Sequence, residues 1–265
     1  MPSDEEKTGR EGVKSAHRAL SILELLVRSD RFLTFGEIES ALDFPRSSLF
    51  GLLKTLRDRG WIELDEHLRT YRLGVRTFEA GNAYQRSINL LPIALPYMER
   101  IRDGLDETVQ ISLLEGRFNI YLGKVEGAQR LRLASEVGRR LEAHATALGK
   151  MLLSDLTEAE LDALFNGVAL ETYTPSTIRT ISSLKQELAL IRDRGYAEDN
   201  EEYTTGVRCF AMAVRDHAGR TIAAISVSFP TVRFSDERGE EARQLLQEAV
   251  SGISATLGYE TEPIS

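Results

Sequence analysis

Apolar residues recur at helical spacing between Ser15 and Arg28, at Ala19, Leu20, Ile22, Leu23, Leu26 and Val27, with Arg18, Glu24 and Arg28 on the remaining face; this predicts an amphipathic helix. Thr34 followed three residues later by Glu37 is a capping-box signal that opens a short helix turning Phe35, Ile38, Ala41 and Leu42 inward. Asp43-Phe44-Pro45 ends it and restarts another, because proline fits the first turn of a helix and not its interior. The new helix spans about Arg46 to Arg59, with Leu49, Leu52, Leu53 and Leu56 inward and Gly60 as its C-terminal cap. Trp61 to Leu64 and Thr70 to Leu73 then read as two short strands joined by Asp65 to Arg69. Three helices and a hairpin in some sixty residues outline a winged helix-turn-helix over residues 13–76.

Residues 77–90 continue as a linker helix, and the helical pattern of 75–105 is interrupted at Pro92 and Pro96. From Thr108 the period changes: Thr108 to Leu114, Phe118 to Val125 and Leu131 to Ala134 read as strands, followed by helices at Ala145 to Ser154, Glu158 to Phe165 and Ser182 to Gly195. Strands at Arg208 to Asp216 and Thr221 to Phe229 flank the turn His217-Ala218-Gly219, and a helix from about Asp236 to Leu257 follows. Residues 91–265 are therefore expected to form an α+β domain with an antiparallel sheet. Residues 1–12, polar and without periodicity, are expected to be a disordered tail.

Composition narrows the function classes. The 265 residues hold one cysteine and four scattered histidines, which excludes an intrachain disulfide framework and leaves no metal-ligand spacing. No apolar run reaches membrane-spanning length and the N-terminus lacks the order of a secretory signal, so a cytoplasmic protein without membrane or cofactor is expected. The formal net charge of -8 hides an asymmetry, since residues 13–76 carry eleven Lys and Arg against nine Asp and Glu. Only that segment has the sign that a phosphate backbone favours.

Arg46, Ser47, Ser48, Phe50 and Lys54, with Arg57 further on, lie on or near the outward face of the third helix. Short polar and basic side chains near a helix N-terminus suit base edges and phosphates in a major groove; a solvated face with the two serines capping the helix is the alternative. His67, Arg69 and Arg72 on the hairpin suit phosphate or minor-groove contact. In the second domain Ser226 and Ser228 alternate with Ile225, Val227 and Phe229, so period two puts both hydroxyls on one strand face. Buried hydroxyls need partners, and a ligand oxygen would serve.

Taken together, Arg18-Ala19-Leu20, Pro45-Arg46-Ser47-Ser48, Lys124-Val125-Glu126-Gly127, His144-Ala145-Thr146-Ala147-Leu148-Gly149-Lys150 and Arg194-Gly195-Tyr196 resemble the IclR family of bacterial regulators. The likeness covers nearly the whole chain after residue 13 and includes a signature from Gly195 through Asp199, Glu202, Cys209 and Ala211 to Asp216. Phe210, Arg215 and Gly51 depart from the usual residue types. The resemblance implies an N-terminal winged helix-turn-helix, a linker helix and a GAF-like C-terminal effector domain whose antiparallel sheet is flanked by helices. It implies no enzyme activity. It implies a homodimer or homotetramer that binds a double-stranded DNA operator, by default a repressor of a catabolic operon and in the alternative an activator. Matched residue by residue, it places the effector, a small or aromatic carboxylic acid, against Leu133, Ala147, Leu148, Asp199, Val207, Cys209, Ser226 and Ser228. Neutral donors there are expected to suffice without a buried salt bridge. A thiol hydrolase built on Cys209, His144 and Asp199, or a redox sensor using Cys209, are the rival readings.

Overall fold

The computed structural model describes residues 13–29, 31–88, 90–128 and 136–259, so the N-terminal tail, the expected strand at Leu131 to Ala134 and the candidate Leu133 lie outside the described residues. The chain divides into two compact units, residues 1–88 and 89–265.

The first unit is built from α1 (Lys14–Arg28), β1 (Leu33–Thr34), α2 (Phe35–Leu42), α3 (Arg46–Asp58), β2 (Ile62–Asp65), β3 (Thr70–Leu73) and α4 (Val75–Ile88). The capping box forms: Thr34 Oγ1 accepts from the Glu37 N–H, and the Glu37 carboxylate accepts from the Thr34 N–H. Pro45 stands at the N-cap of α3, and Gly60, at φ +76°, takes the left-handed conformation that ends it. Ile22, Leu26, Leu33, Ile38, Leu49, Leu53, Leu56 and Ile62 make the core. Leu20 and Val27 are more than half exposed, against the inward reading. Seven residues apart, they share a face beside the stripe that Ile22 and Leu26 bury. The strand β1 also escaped the sequence: its two residues pair antiparallel with Tyr71 and Thr70, making the hairpin a three-stranded sheet.

The second unit opens with α5 (Leu90–Leu105), which carries Pro96 inside it rather than ending there. Pro96 deletes one backbone hydrogen bond. Burial of Leu90, Ala94, Met98, Ile101 and Leu105 along one face offsets that loss. A six-stranded antiparallel sheet follows in the order β6-β5-β4-β9-β8-β7, comprising β4 (Thr108–Glu115), β5 (Phe118–Val125), β6 (Arg140–Glu142), β7 (Ala197–Asn200), β8 (Val207–Arg215) and β9 (Thr221–Pro230). The helices are α6 (Ala147–Leu153), α7 (Glu158–Phe165), α8 (Ile181–Arg194) and α9 (Asp236–Thr256). Alternation along β8 divides the layers. Ala211 joins the core under α6, α7 and α8, whereas the Phe210 ring approaches Gly239 on α9. A Cβ at Gly149 would lie 2.2 Å from Ala143 Cα, so only glycine lets α6 settle this close to the preceding turn.

Candidate functional site

On the first unit, α3 presents Arg46, Ser47, Phe50, Lys54 and Arg57 to solvent, with Phe50 63% exposed. An exposed aromatic of that size contributes nothing to its own core and is available to a partner. Arg46 lies over the Phe35 ring, 5.1 Å from its centroid, and reaches Glu39 at 3.2 Å, which aims the guanidinium from the start of the helix. Ser48 differs: its hydroxyl accepts from Arg18 Nη1 at 3.0 Å, tying α3 to α1. In the hairpin, Asp65 Oδ1 accepts from the His67 and Leu68 N–H groups at 2.9 Å, and Arg69 takes a positive φ of 55°. His67 and Arg69 are exposed at this tight tip, whereas Arg72 is held by Glu63 at 2.6 Å.

On the second unit, strand register gathers the other candidates. Asp199, Cys209, Ser228 and Thr108 stand opposite one another across β7, β8, β9 and β4, and Ala197, Ala211, Ser226 and Gln110 form the next row. Between the sheet and the first turn of α6 lies a cavity of about 160 Å³. Ala147, Leu148, Asp199, Val207, Cys209, Ser226 and Ser228 all line it, so every described member of the expected set comes together. Sequence reasoning missed Gln110, Tyr121, Arg139, Tyr203 and Thr204, which also line it. Tyr121 arrives through a register shift in β4 and β5: Ile111 opposes Gly123 but Ser112 opposes Tyr121, leaving Leu122 as the extra residue. Gln110 had a signal: with Thr108 and Ser112 it puts polar residues at alternate positions of β4, on one strand face.

The hydroxyls of Ser226 and Ser228 do not wait for a ligand. Both donate to Gln110 Oε1, at 3.2 and 3.0 Å, because β4 lies directly beside β9 and brings an acceptor into the wall. The first turn of α6 is capped by Thr146, whose Oγ1 accepts from the Gly149 N–H at 3.0 Å and donates to Asn119 Oδ1 at 2.9 Å. Arg139, exposed overall, brings a cation to the cavity lining, which departs from the expectation of neutral donors alone.

Burial controls the titratable groups. It raises the Asp199 carboxyl to about 7 against a hydrogen bond from the Glu202 N–H and the charge of Lys150, which both pull it down. Burial likewise raises the Tyr121 phenol and, helped by Asp199, the Cys209 thiol. Beside the cavity, fully buried Lys150 pairs with Glu202, whose carboxyl burial also pushes up. Cys209 is half-buried and lines the cavity.

These contacts argue against the thiol readings. His144 does not line the cavity, and its Nε2 meets the Glu171 carbonyl at 2.9 Å. A nucleophilic or redox-active cysteine needs a lowered pKa and access, whereas Cys209 has a raised one and donates its proton to Ser228. Among the described residues no group of three or more His, Cys, Asp and Glu could hold a metal ion, and no helix is long and apolar enough to cross a membrane.

The family described as "IclR helix-turn-helix domain" matches residues 15–66, and "Bacterial transcriptional regulator IclR C-terminal" matches residues 82–255. The HTH-type transcriptional regulator XynR of Escherichia coli (strain K12) is 38% identical over 247 residues, covering 93% of this chain and 98% of the relative. The HTH-type transcriptional repressor AllR of Salmonella paratyphi A is 33% identical over 257 residues, covering 97% and 94%. Among solved structures, the Thermotoga maritima IclR superposes with a TM-score of 0.73 at 31% identity, covering 94% of this chain and all of that one. With both halves matched and the winged helix and six-stranded sheet in place, the chain belongs to the IclR family of DNA-binding transcriptional regulators.

Proposed function

We propose that the protein represses a catabolic operon by holding an operator as a homodimer or dimer of dimers, and that a small or aromatic carboxylic acid in the sensor cavity releases it. The observation that carries the effector half is the cavity itself, which joins a polar sheet wall, the start of α6 and Arg139 around about 160 Å³. That space is below the range for drug-sized ligands and suits a small acid. Arg139 offers its carboxylate a charge-assisted hydrogen bond, and the Ala147 and Leu148 N–H groups, in the first turn of α6, have no acceptor within the helix. Thermal shift of the full chain against a panel of small carboxylates and aromatic acids tests this half. No stabilisation by any of them would count against the reading.

For the DNA half, the exposed row on α3 supports major-groove contact by Arg46, Ser47, Phe50 and Lys54, with Arg57, His67 and Arg69 on flanking phosphates. Ser48, already bonded to Arg18, positions the helix. Arg46→Ala is expected to weaken operator binding by about 1–3 kcal/mol, concentrated at one operator position, with an unchanged melting temperature. Its ion pair with Glu39 is exposed and contributes little to folding. Equal gel-shift midpoints for variant and wild type would remove Arg46 from the interface. A fragment of residues 1–76 is expected to fold and yet bind the operator poorly, because two half-sites are held strongly only by linked copies. Undiminished affinity of that fragment would contradict the oligomer.

A further inference from the structure

Two neighbouring residues of α3 do not suit the helix that carries them. Phe50 is a large aromatic ring left 63% exposed. Gly51 stands in the helix interior, although glycine is the poorest helix former after proline. The fold does not ask for it: its φ lies outside the left-handed range, and an added Cβ would meet no other described residue within 4 Å. Helical spacing sets Ser47, Gly51 and Lys54 in one row at i, i+4 and i+7, on the side away from the buried Leu49, Leu53 and Leu56. Gly51 is therefore the middle of the outward face, with Phe50 beside it toward Arg46. Nearer the helix start, Phe35, Arg46, Ser47 and Phe50 line one open notch, where the Arg46 guanidinium sits over the Phe35 ring. Local preferences broken without a gain inside the protein mark a surface shaped for something outside it.

We infer that α3 lies in the major groove along the Ser47, Gly51 and Lys54 row, with the bare backbone at Gly51 close against the base edges and the Phe50 ring on a thymine methyl, so that these two residues set a preference for thymine. The inference rests on the reading of α3 as the DNA-contacting helix and adds the base that it selects. The match of residues 15–66 to a helix-turn-helix domain commits the occupant to duplex DNA. Arg46 and Lys54, four residues to either side of Phe50, supply the charge that a duplex requires. A side chain at the centre of the row would hold the helix off the groove floor, whereas glycine lets the backbone approach. Phe50 has no side-chain donor or acceptor, and the C5-methyl of thymine is the apolar group that a base pair presents in the major groove. Cytosine, adenine and guanine present polar atoms there, and a phenyl ring pressed on them would strip their water and return no hydrogen bond.

The full-length protein is first used to select a duplex from a random-sequence pool. That duplex is then resynthesised with deoxyuridine at each thymine in turn, which removes the methyl and no hydrogen-bonding atom. Wild type is expected to lose roughly 4-fold in affinity at one thymine of each half-site, the worth of one buried methyl group. Cytosine placed there should bind worse than thymine, and 5-methylcytosine should recover roughly 4-fold over cytosine. Phe50→Ala should bind the thymine and uracil duplexes equally. Gly51→Ala should separate stability from binding. Fluorescence of Trp61, the chain's one tryptophan and part of the first unit's core, should show a melting temperature raised by roughly 2–8 °C. Affinity of the same variant for the selected duplex should fall by about 5-fold or more. Wild type indifferent to uracil at every position, a Phe50→Ala variant that still distinguishes thymine from uracil, or a Gly51→Ala variant that binds like wild type overturns the inference. If Arg46→Ala is impaired on the same duplex, the reading of α3 as the DNA helix stands. Phe50→Ala, Gly51→Ala and Arg46→Ala all binding like wild type overturns both.

Discussion

Lys150→Met is expected to destabilise the second unit by about 3–5 kcal/mol near neutral pH, because it leaves the Glu202 carboxylate buried without its counter-charge. Lys150 is 1% exposed and is also 4.0 Å from Glu187, so no solvent is at hand to replace it. Glu202→Gln in the same chain should recover most of the loss, since a neutral amide has no charge to desolvate. Burial already raises the Glu202 carboxyl, so the damage should shrink as falling pH protonates it. Denaturant unfolding of the single and double variants, followed by a probe in the second unit, measures this. A single variant within about 1 kcal/mol of wild type would mean that the pair behaves as a surface ion pair.

The second large effect concerns pH. Burial lifts the Asp199 carboxyl from 3.8 to about 7, so the folded chain holds a proton that the unfolded chain has released. A group raised in this way contributes its full stabilisation below about pH 4, and that contribution is lost as the pH climbs through about 7. Asp199→Asn, which keeps an oxygen for the Glu202 N–H, removes the dependence. The variant should match wild type near pH 4 and exceed it by on the order of 4 kcal/mol at pH 8, at about 1.4 kcal/mol for each pH unit between the two pKa values. Effector affinity should follow the same curve in wild type, since an ionised Asp199 in the cavity repels an acid. Parallel pH profiles of melting temperature for the two proteins would contradict this.

Much of the fold could be read from the chain because local chemistry and tertiary structure agree there. Thr34 and Glu37, Pro45 and Gly60 punctuate the helices, and leucines at positions 49, 53 and 56 leave no second face to bury. What escaped was short or polar. Arg140-Leu141-Glu142 and Ala197-Glu198-Asp199-Asn200 are edge strands of three and four residues, where charge protects the edge and hides the alternation. In the cavity, Ser226 and Ser228 were legible from period two, and the family resemblance brought in Asp199, Val207 and Cys209. Gln110 was invisible as a partner because its contact with Ser226 spans 116 positions, and only the adjacency of β4 and β9 creates it. Tyr121 depends on a register shift that no spacing rule announces.

The bond from Arg18 to Ser48 divides the recognition helix into two kinds of position for evolution. Arg46, Ser47, Phe50 and Lys54 stand outside the core, so drift at these sites can rewrite operator preference with little penalty to folding. Ser48 is coupled to α1, and a change there must be answered at Arg18. New DNA specificities are therefore reachable by single steps at the first four sites and by paired steps at the fifth, so lineages descending from this sequence should diversify along the former route first.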